Sequence, residues 1–65
     1  MEFRVRGMTC AHCEAAVARA VRALDPGADV TVDRGSGRVA IARTAADPEA
    51  IRQAIADEGY EVEAP

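Results

Sequence analysis

The 65-residue sequence contains no tryptophan and no lysine, and Phe3 and Tyr60 are its only aromatic residues. Apolar residues still make up 49% of the chain, which is typical of a globular protein and argues against a disordered one. Most of them are alanine and valine, so we expect a thin core whose elements pack closely. The length suits one domain, which we expect to span residues 1–65.

Long apolar runs are also absent. No stretch approaches the ~20 apolar residues of a membrane-spanning helix. Met1 leads directly into a segment of alternating polarity instead of the apolar run of a secretory signal. We therefore expect a cytoplasmic protein that does not insert into membranes, in a compartment where thiols stay reduced.

Positive charge is scarce as well. Eleven acidic residues against eight arginines give a formal net charge of −3, which weakens any prediction of nucleic-acid binding. The charge is unevenly spread, since residues 1–46 carry +2 and residues 47–65 carry −5. Such polarity can orient a protein partner, or it can reflect solvated helix faces, and the sequence leaves both interpretations open.

Alternation of polar and apolar residues predicts four strands. Phe3 and Val5 are expected to face inward from the first. The second and third strands are separated by residues 34–37, Arg-Gly-Ser-Gly, whose glycines can take positive φ and predict a hairpin. The four predicted strands are residues 2–6, 28–33, 38–41 and 60–63.

Two further segments are typical of helices. The first is rich in alanine, runs from about residue 12 to residue 25, and ends at Asp25-Pro26-Gly27. The second begins with Asp47 as N-cap and Pro48 at its first position, and Gly59 ends it. Their apolar stripes are Cys13, Val17, Ala20, Val21 and Leu24 in the first and Ile51, Ala54 and Ile55 in the second.

The predicted order of elements is β-α-β-β-α-β. It indicates an α+β, ferredoxin-like fold, with an antiparallel four-stranded sheet and two helices on one face. We expect each helix to connect strands that are parallel neighbours, through a right-handed crossover.

Cys10 and Cys13 lie where the first strand has ended and the first helix begins. A helix N-terminus has free N–H groups and a positive dipole end, both of which favour the thiolate, the form that binds metal. Two intervening residues allow both sulfurs to point at one place. Two reduced cysteines in this setting favour a metal site or a redox site over a structural disulfide.

The number of ligands narrows the choice of metal. A closed zinc site needs four nitrogen or sulfur ligands, whereas His12 is the only histidine and the chain has no other cysteine. Two thiolates satisfy a soft ion of low coordination number, of which Cu(I) is the leading candidate. Such a site also leaves room for an incoming thiolate, as a carrier requires.

Residues 7–13, Gly-Met-Thr-Cys-Ala-His-Cys, resemble the metal loop of the heavy-metal-associated domain family, and within it that of the bacterial copper chaperones. The resemblance covers nearly the whole chain, and GMTCxxC is far more specific than CxxC alone. It implies a carrier, not an enzyme, that binds Cu(I) through Cys10 and Cys13. It also implies transfer to the metal-binding domain of a copper-exporting P-type ATPase. Residues 25–28, Asp-Pro-Gly-Ala, depart from the Gly-Val that follows the first helix in many members.

Three residues near the cysteines have more than one interpretation. Met8 is expected to pack beneath the loop instead of binding copper, since methionine commonly fills cores. His12 is expected to be an exposed spacer, with a third-ligand or dimer-contact role as the alternative. In the fold that the resemblance implies, Tyr60 lies beside the metal loop, where its hydroxyl could reach a cysteine sulfur or its ring could cap the core.

Other functions remain open at this point. The chain could be the metal-binding domain of such an ATPase, although Met1 and the compact length favour a complete chaperone. It could carry Zn(II) or Hg(II), although related mercury carriers need an export signal and zinc-binding members often have an acidic residue where Thr9 stands here. A thiol–disulfide oxidoreductase is disfavoured because the Trp-Cys-Gly-Pro-Cys sequence is absent. We expect a monomer, with a metal-bridged dimer as the alternative.

Overall fold

The computed structural model describes residues 1–63, which form one four-stranded antiparallel sheet and two helices. The last two residues of the predicted domain lie outside the described residues. The elements are β1 (Glu2–Arg6), α1 (Ala11–Leu24), β2 (Asp29–Asp33), β3 (Arg38–Ala42), α2 (Pro48–Asp57) and β4 (Glu61–Glu63). The ferredoxin-like prediction is confirmed.

The strand order is β2-β3-β1-β4, so one detail of the predicted topology is wrong. α1 connects β1 to β2, but β3 lies between them. In the same way α2 connects β3 to β4, and β1 lies between those two. In each case the strand in between runs antiparallel to the strands on either side of it. Every hydrogen-bonded pair of strands in the sheet is therefore antiparallel. The helices therefore cross over a strand instead of joining neighbours.

This topology places the cysteine loop and the segment that follows α2 at the same pole of the molecule. β1 runs toward the loop that carries the two cysteines, and α1 starts there. Because β3 is antiparallel to β1, α2 starts at the opposite pole and returns, so that its C-terminal end and Tyr60 reach the cysteine loop. Two segments that are about fifty residues apart in sequence are thus brought together.

The core lies between the sheet and the two helices. Its residues are Phe3, Val5, Met8, Val17, Val21, Ala28, Val39, Ile41, Ile51 and Ile55. Phe3 and Val5 face inward as predicted. Leu24 does not belong to the core, because 47% of it is exposed. Its predicted burial is wrong although its spacing keeps it on the same face as Val17, because Leu24 is the last residue of α1 and lies at the end of the buried stripe.

Each helix begins and ends close to the predicted residues. Asp47 caps α2, where its carboxylate accepts a hydrogen bond from the Glu49 N–H at 2.8 Å. At the end of α1, the Asp25 carboxylate accepts bonds from the Thr44 hydroxyl at 2.9 Å and the Ala45 N–H at 3.1 Å. These bonds, with the Thr44 hydroxyl first among the causes, lower the pKa of Asp25. They fasten the segment that departs from the family pattern to the loop before α2.

Gly37 ends the β2–β3 turn, and of the two glycines there only Gly37 takes positive φ, at 73°. A Cβ at Gly37 would lie 2.8 Å from the Val5 carbonyl oxygen, too close for that backbone to accept. Gly37→Ala is therefore expected to lower the free energy of unfolding by about 2 kcal/mol or more, through left-handed strain and overpacking. Urea denaturation followed by circular dichroism measures the change.

Gly35→Ala is the matched control for that substitution. Gly35 lies in the same turn, has no left-handed φ, and its Cβ would approach only the flexible Asp33 side chain, at 3.4 Å. An equal loss of stability in both variants would contradict a requirement for glycine at position 37.

Candidate metal site

The cysteine loop joins β1 to α1 by way of a left-handed turn. Gly7 has a φ of 99°, a value that favours glycine. Met8 then turns inward and is 6% exposed, which confirms that it packs beneath the loop. Cys10 is the N-cap of α1 and has extended backbone geometry. Its carbonyl oxygen accepts hydrogen bonds from the Cys13 N–H at 3.0 Å and the Glu14 N–H at 3.3 Å.

The two sulfurs converge at the start of α1. Cys10 Sγ and Cys13 Sγ are 3.4 Å apart, and both cysteines are free. Cys10 is exposed and Cys13 is half-buried, so that one sulfur faces solvent and the other packs against the core. An ion approaching from solvent can reach both. The loop and the first turn of α1 position both cysteines.

The surroundings of Cys13 favour its thiolate. The pKa of Cys13 is lowered to about 6, and the largest cause is hydrogen bonding from the Tyr60 side chain. Backbone hydrogen bonding at Thr9 and the Cys10 side chain contribute next, while burial opposes them. At pH 7 Cys13 is therefore mainly a thiolate, ready to bind a metal ion without first losing a proton.

Tyr60 follows α2 and reaches Cys13 from the other side of the loop. Its ring packs over Gly7, where an added Cβ would lie 3.5 Å from Tyr60 Cδ1. Hydrogen bonding with the Cys13 side chain is the largest cause that raises the pKa of Tyr60 to about 12, followed by burial and by the nearby negative charges. The Tyr60 hydroxyl thus keeps its proton at neutral pH. The core-packing interpretation of Tyr60 is confirmed, since the side chain packs against the core. Contact of its hydroxyl with a cysteine sulfur stays a prediction.

The heavy-metal-associated domain model matches residues 2–61. The chain belongs to the heavy-metal-associated domain family. It is 36% identical over 62 residues to the copper chaperone CopZ of Staphylococcus haemolyticus, with 92% of this chain and 91% of that protein covered. The family resemblance inferred from residues 7–13 is confirmed.

Solved structures of relatives have the same fold. The copper chaperone Atx1 of Synechocystis PCC6803 in its Cu2 form superposes with a TM-score of 0.90 at 40% identity, covering 97% of this chain and 98% of that one. A crystal structure of a gold binding protein gives a TM-score of 0.88 at 29% identity, covering 95% and 94%. Likeness of this extent covers the cysteine loop together with both helices.

His12 lies between the cysteines but does not join them. It is exposed on the first turn of α1, as expected of a spacer. Within residues 1–63 there is no group of three or more histidine, cysteine or acidic side chains placed to hold a metal ion. The described structure thus brings Cys10 and Cys13 together and leaves His12 apart from them.

Sequence reasoning missed two contributions to the site. The backbone at Thr9 and Cys10 acts on the Cys13 thiol, and the charge of Glu58 acts on Tyr60. The charge of Glu58 follows from its place two residues before Tyr60, which the sequence does show. The backbone contribution has no signature in residue type and emerges only from the folded loop.

One side of α1 carries two basic residues, Arg19 in the second half of the helix and Arg22 in its last turn. Arg19 and Arg22 are both exposed there, and no ion pair within residues 1–63 involves either of them. Arg6, Arg38, Arg43 and Arg52, by contrast, each pair with an acidic side chain.

Neither α1 nor α2 is long and apolar enough to cross a membrane.

Proposed function

We propose that this protein is a Cu(I) metallochaperone that holds the ion between the Cys10 and Cys13 thiolates. The observation that carries the proposal is the pair of free sulfurs 3.4 Å apart at the N-terminus of α1. Two thiolates suit a soft ion of low coordination number better than Zn(II), which prefers four ligands. The names of the relatives, which mention copper and gold, also support a soft cargo.

The recipient that we propose is the metal-binding domain of a copper-transporting P-type ATPase. Because Cu(I) has only two ligands from this chain, a thiolate of the recipient can join as a third before Cys10 or Cys13 departs. The ion then passes through a mixed-ligand complex and is never free. The protein acts as a carrier and not as an enzyme, in the cytoplasm, as a single domain over residues 1–65. It is a monomer when metal-free, and a shared ion can bridge two copies.

Competitive titration of the reduced protein with Cu(I) and Zn(II) tests the choice of cargo. We expect Cu(I) to displace Zn(II) and to bind with one ion per chain. Tighter binding of Zn(II), measured against chelators of known affinity, would overturn the copper assignment. Catalytic reduction of insulin disulfides would instead identify a thiol–disulfide oxidoreductase.

The basic face of α1 is expected to steer an acidic recipient toward the loop. Reversing it with Arg19→Glu and Arg22→Glu should slow Cu(I) transfer at low salt, by on the order of tenfold, and leave Cu(I) affinity nearly unchanged. Surface charges act on the association rate, and 1 M salt reduces their range to about 3 Å. Stopped-flow transfer to a recipient CxxC domain at several salt concentrations measures the effect.

Arg4→Glu with Arg43→Glu is the control, because both residues are exposed and the change in net charge is the same. Arg43→Glu also removes the exposed Arg43–Asp29 ion pair, which contributes little to stability. Arg4 lies on β1 and Arg43 follows β3, so neither belongs to the α1 face. Equal slowing in both double variants would show an effect of total charge and contradict steering by α1. Rates that do not depend on recipient concentration would indicate dissociation in place of direct exchange.

A further inference from the structure

β2 (Asp29–Asp33) is an edge strand that is hydrogen bonded to β3 on one side only. An edge strand presents a row of backbone N–H and C=O groups that have no partner in the sheet. Within residues 1–63, the backbone of residues 29–33 forms no hydrogen bond with another segment outside the β2–β3 ladder. This edge of the sheet is therefore open to a further strand.

A shallow apolar groove of about 310 Å³ runs beside that edge, between β2 and α1. Val30 and Val32 are only half-buried in it, whereas their partners on β3, Ile41 and Val39, are buried. The alanines of α1 are too short to cover the two valines, so apolar surface next to the open edge stays in contact with solvent. The groove is lined by Ala11, Glu14, Ala15, Ala18, Val30 and Val32.

The opposite face of β2 is acidic. Asp29 and Asp33 alternate with the half-buried valines, point away from the helices and are exposed. Asp29 Oδ2 lies 3.4 Å from Arg43 Nε, in an exposed ion pair of the kind that contributes little. Asp33 Oδ1 accepts a hydrogen bond from the Gly35 N–H in the turn, at 3.1 Å. Both carboxylates can still be reached by a cation from solvent.

The charges across the rest of the sheet indicate which kind of strand suits this edge. Asp33 lies opposite Arg38 on β3, and at the other edge Glu61 lies opposite Arg6 on β1. A second copy of β2, paired antiparallel in full register, would place its Asp33 against Asp29, and like charges in that position are destabilising. The β2 edge therefore favours a strand with basic residues on this face and disfavours pairing with itself.

We propose that the β2 edge and the groove beside it bind an extended peptide segment of a partner protein, in which apolar and basic residues alternate. The backbone of the segment adds a fifth strand to the sheet at β2. Successive side chains of a strand point to opposite faces. The apolar ones therefore enter the groove against Val30 and Val32, while the basic ones face Asp29 and Asp33.

The groove reaches Ala11, the residue after Cys10, but its lining contains neither cysteine. A bound segment thus anchors its protein beside the cysteine loop and leaves the loop open to solvent. The surface needs no metal ion, so the inference stands apart from the proposed carrier function and is tested without copper.

The first test is an NMR titration of the reduced, metal-free protein with a capped synthetic peptide, Val-Lys-Val-Lys-Val-Lys-Val. We expect saturable shifts of the amides of β2 and of the α1 residues that line the groove. Amide exchange at alternate β2 residues should slow, because the added strand takes up the N–H groups that point outward. Val-Glu-Val-Glu-Val-Glu-Val and the grouped peptide Val-Val-Val-Val-Lys-Lys-Lys are the control peptides, and both should bind more weakly at low salt.

The second test removes the acidic face of β2. Asp29→Asn with Asp33→Asn should weaken binding of the Val-Lys peptide about fivefold at low salt, through loss of two cross-strand charge pairs. Asparagine at position 33 keeps a side-chain oxygen that can accept the turn hydrogen bond. Asp57→Asn with Glu61→Gln is the matched control, because it changes the net charge equally at exposed positions on α2 and β4. It should leave the affinity nearly unchanged.

The third test fills the groove. Ala15→Gln lengthens an exposed side chain of α1 that lines the groove, and should weaken binding of the Val-Lys peptide by a similar factor. Ala23→Gln makes the same change at an exposed position of α1 that does not line the groove, and should have little effect. Circular dichroism should show that both variants keep the parent fold.

Absence of saturable shifts at β2 with the Val-Lys peptide would overturn the proposal, and so would equal binding of either control peptide. Equal weakening in a test variant and its matched control would overturn it as well. Shifts at β2 that appear with protein concentration alone would show that a second copy covers this edge, and would also contradict the proposed occupant.

Discussion

Replacing either Cys10 or Cys13 by serine is expected to weaken Cu(I) binding by more than about a hundredfold. Changes to groups that merely orient metal ligands typically cost roughly ten- to a hundredfold in affinity, and loss of a ligand should cost more. A hydroxyl is a poor ligand for a soft ion. Within residues 1–63 no group of three or more candidate ligands exists from which a replacement could come. Competition of each reduced variant against a Cu(I) chelator measures the loss.

Ser36→Ala is a suitable control because Ser36 lies exposed in the β2–β3 turn and is not a candidate ligand. The cysteine variants should also keep their fold, since neither Cys10 nor Cys13 is one of the fully buried side chains of the core. Circular dichroism of each metal-free variant should show the same helix and sheet as the parent. A single cysteine variant that competes as well as the parent would refute a site made of two thiolates.

Much of this fold could be predicted from the sequence because local patterns determine its elements. Alternation predicts the inward faces of β1 and β3, and Asp47-Pro48 marks the start of α2 within one residue. The order of the strands could not be obtained in the same way. Whether a helix joins neighbouring strands or crosses over an inserted one depends on pairing between distant segments, and no local pattern encodes it.

In the candidate metal site, too, some features follow from local sequence patterns and others depend on distant segments of the chain. The spacing of Cys10 and Cys13, and their place before a helix, are local features, and the structure brings the two sulfurs together. The sequence also placed Tyr60 near the loop, but only through family resemblance. The position of the Tyr60 ring over Gly7 depends on α2 returning to the pole of the cysteine loop, which no local pattern encodes. Leu24 illustrates the opposite error, since helical spacing alone cannot tell where along a helix the cover of the buried face ends.

Alkylation of Cys13 is expected to show a midpoint near pH 6 in the folded protein, well below the ordinary thiol value of 9.0. Cys10→Ser leaves Cys13 as the only thiol, and its serine hydroxyl can still donate a hydrogen bond. Iodoacetamide reacts with the thiolate, so the rate in metal-free protein follows the ionised fraction. The same variant in denaturant, where every tertiary contact is lost, should titrate near pH 9.

Tyr60→Phe in that background should raise the midpoint, because hydrogen bonding from Tyr60 is the largest cause of the low pKa. The same pKa values determine how the contribution of Cys13 to the free energy of unfolding changes with pH. Since the folded pKa lies below the unfolded one, ionised Cys13 stabilises the fold fully above about pH 9. That contribution declines as the pH falls and is lost below about pH 6. Denaturation of the Cys10→Ser variant with and without Tyr60→Phe, across this range, should therefore show a difference that shrinks in acid.

Tyr60 offers an independent measurement of the same hydrogen bond. It is the only tyrosine and the chain has no tryptophan, so the ultraviolet absorbance of phenolate reports on Tyr60 alone. The pKa of Tyr60 should be about 12 in the parent protein and should fall toward 10.0 in Cys13→Ala, where no sulfur can accept a hydrogen bond from the hydroxyl. A midpoint for Cys13 that does not respond to Tyr60→Phe, together with an ordinary pKa for Tyr60, would show that the hydroxyl and the sulfur do not interact. The low pKa of Cys13 would then have to come from the backbone of the loop and the Cys10 side chain.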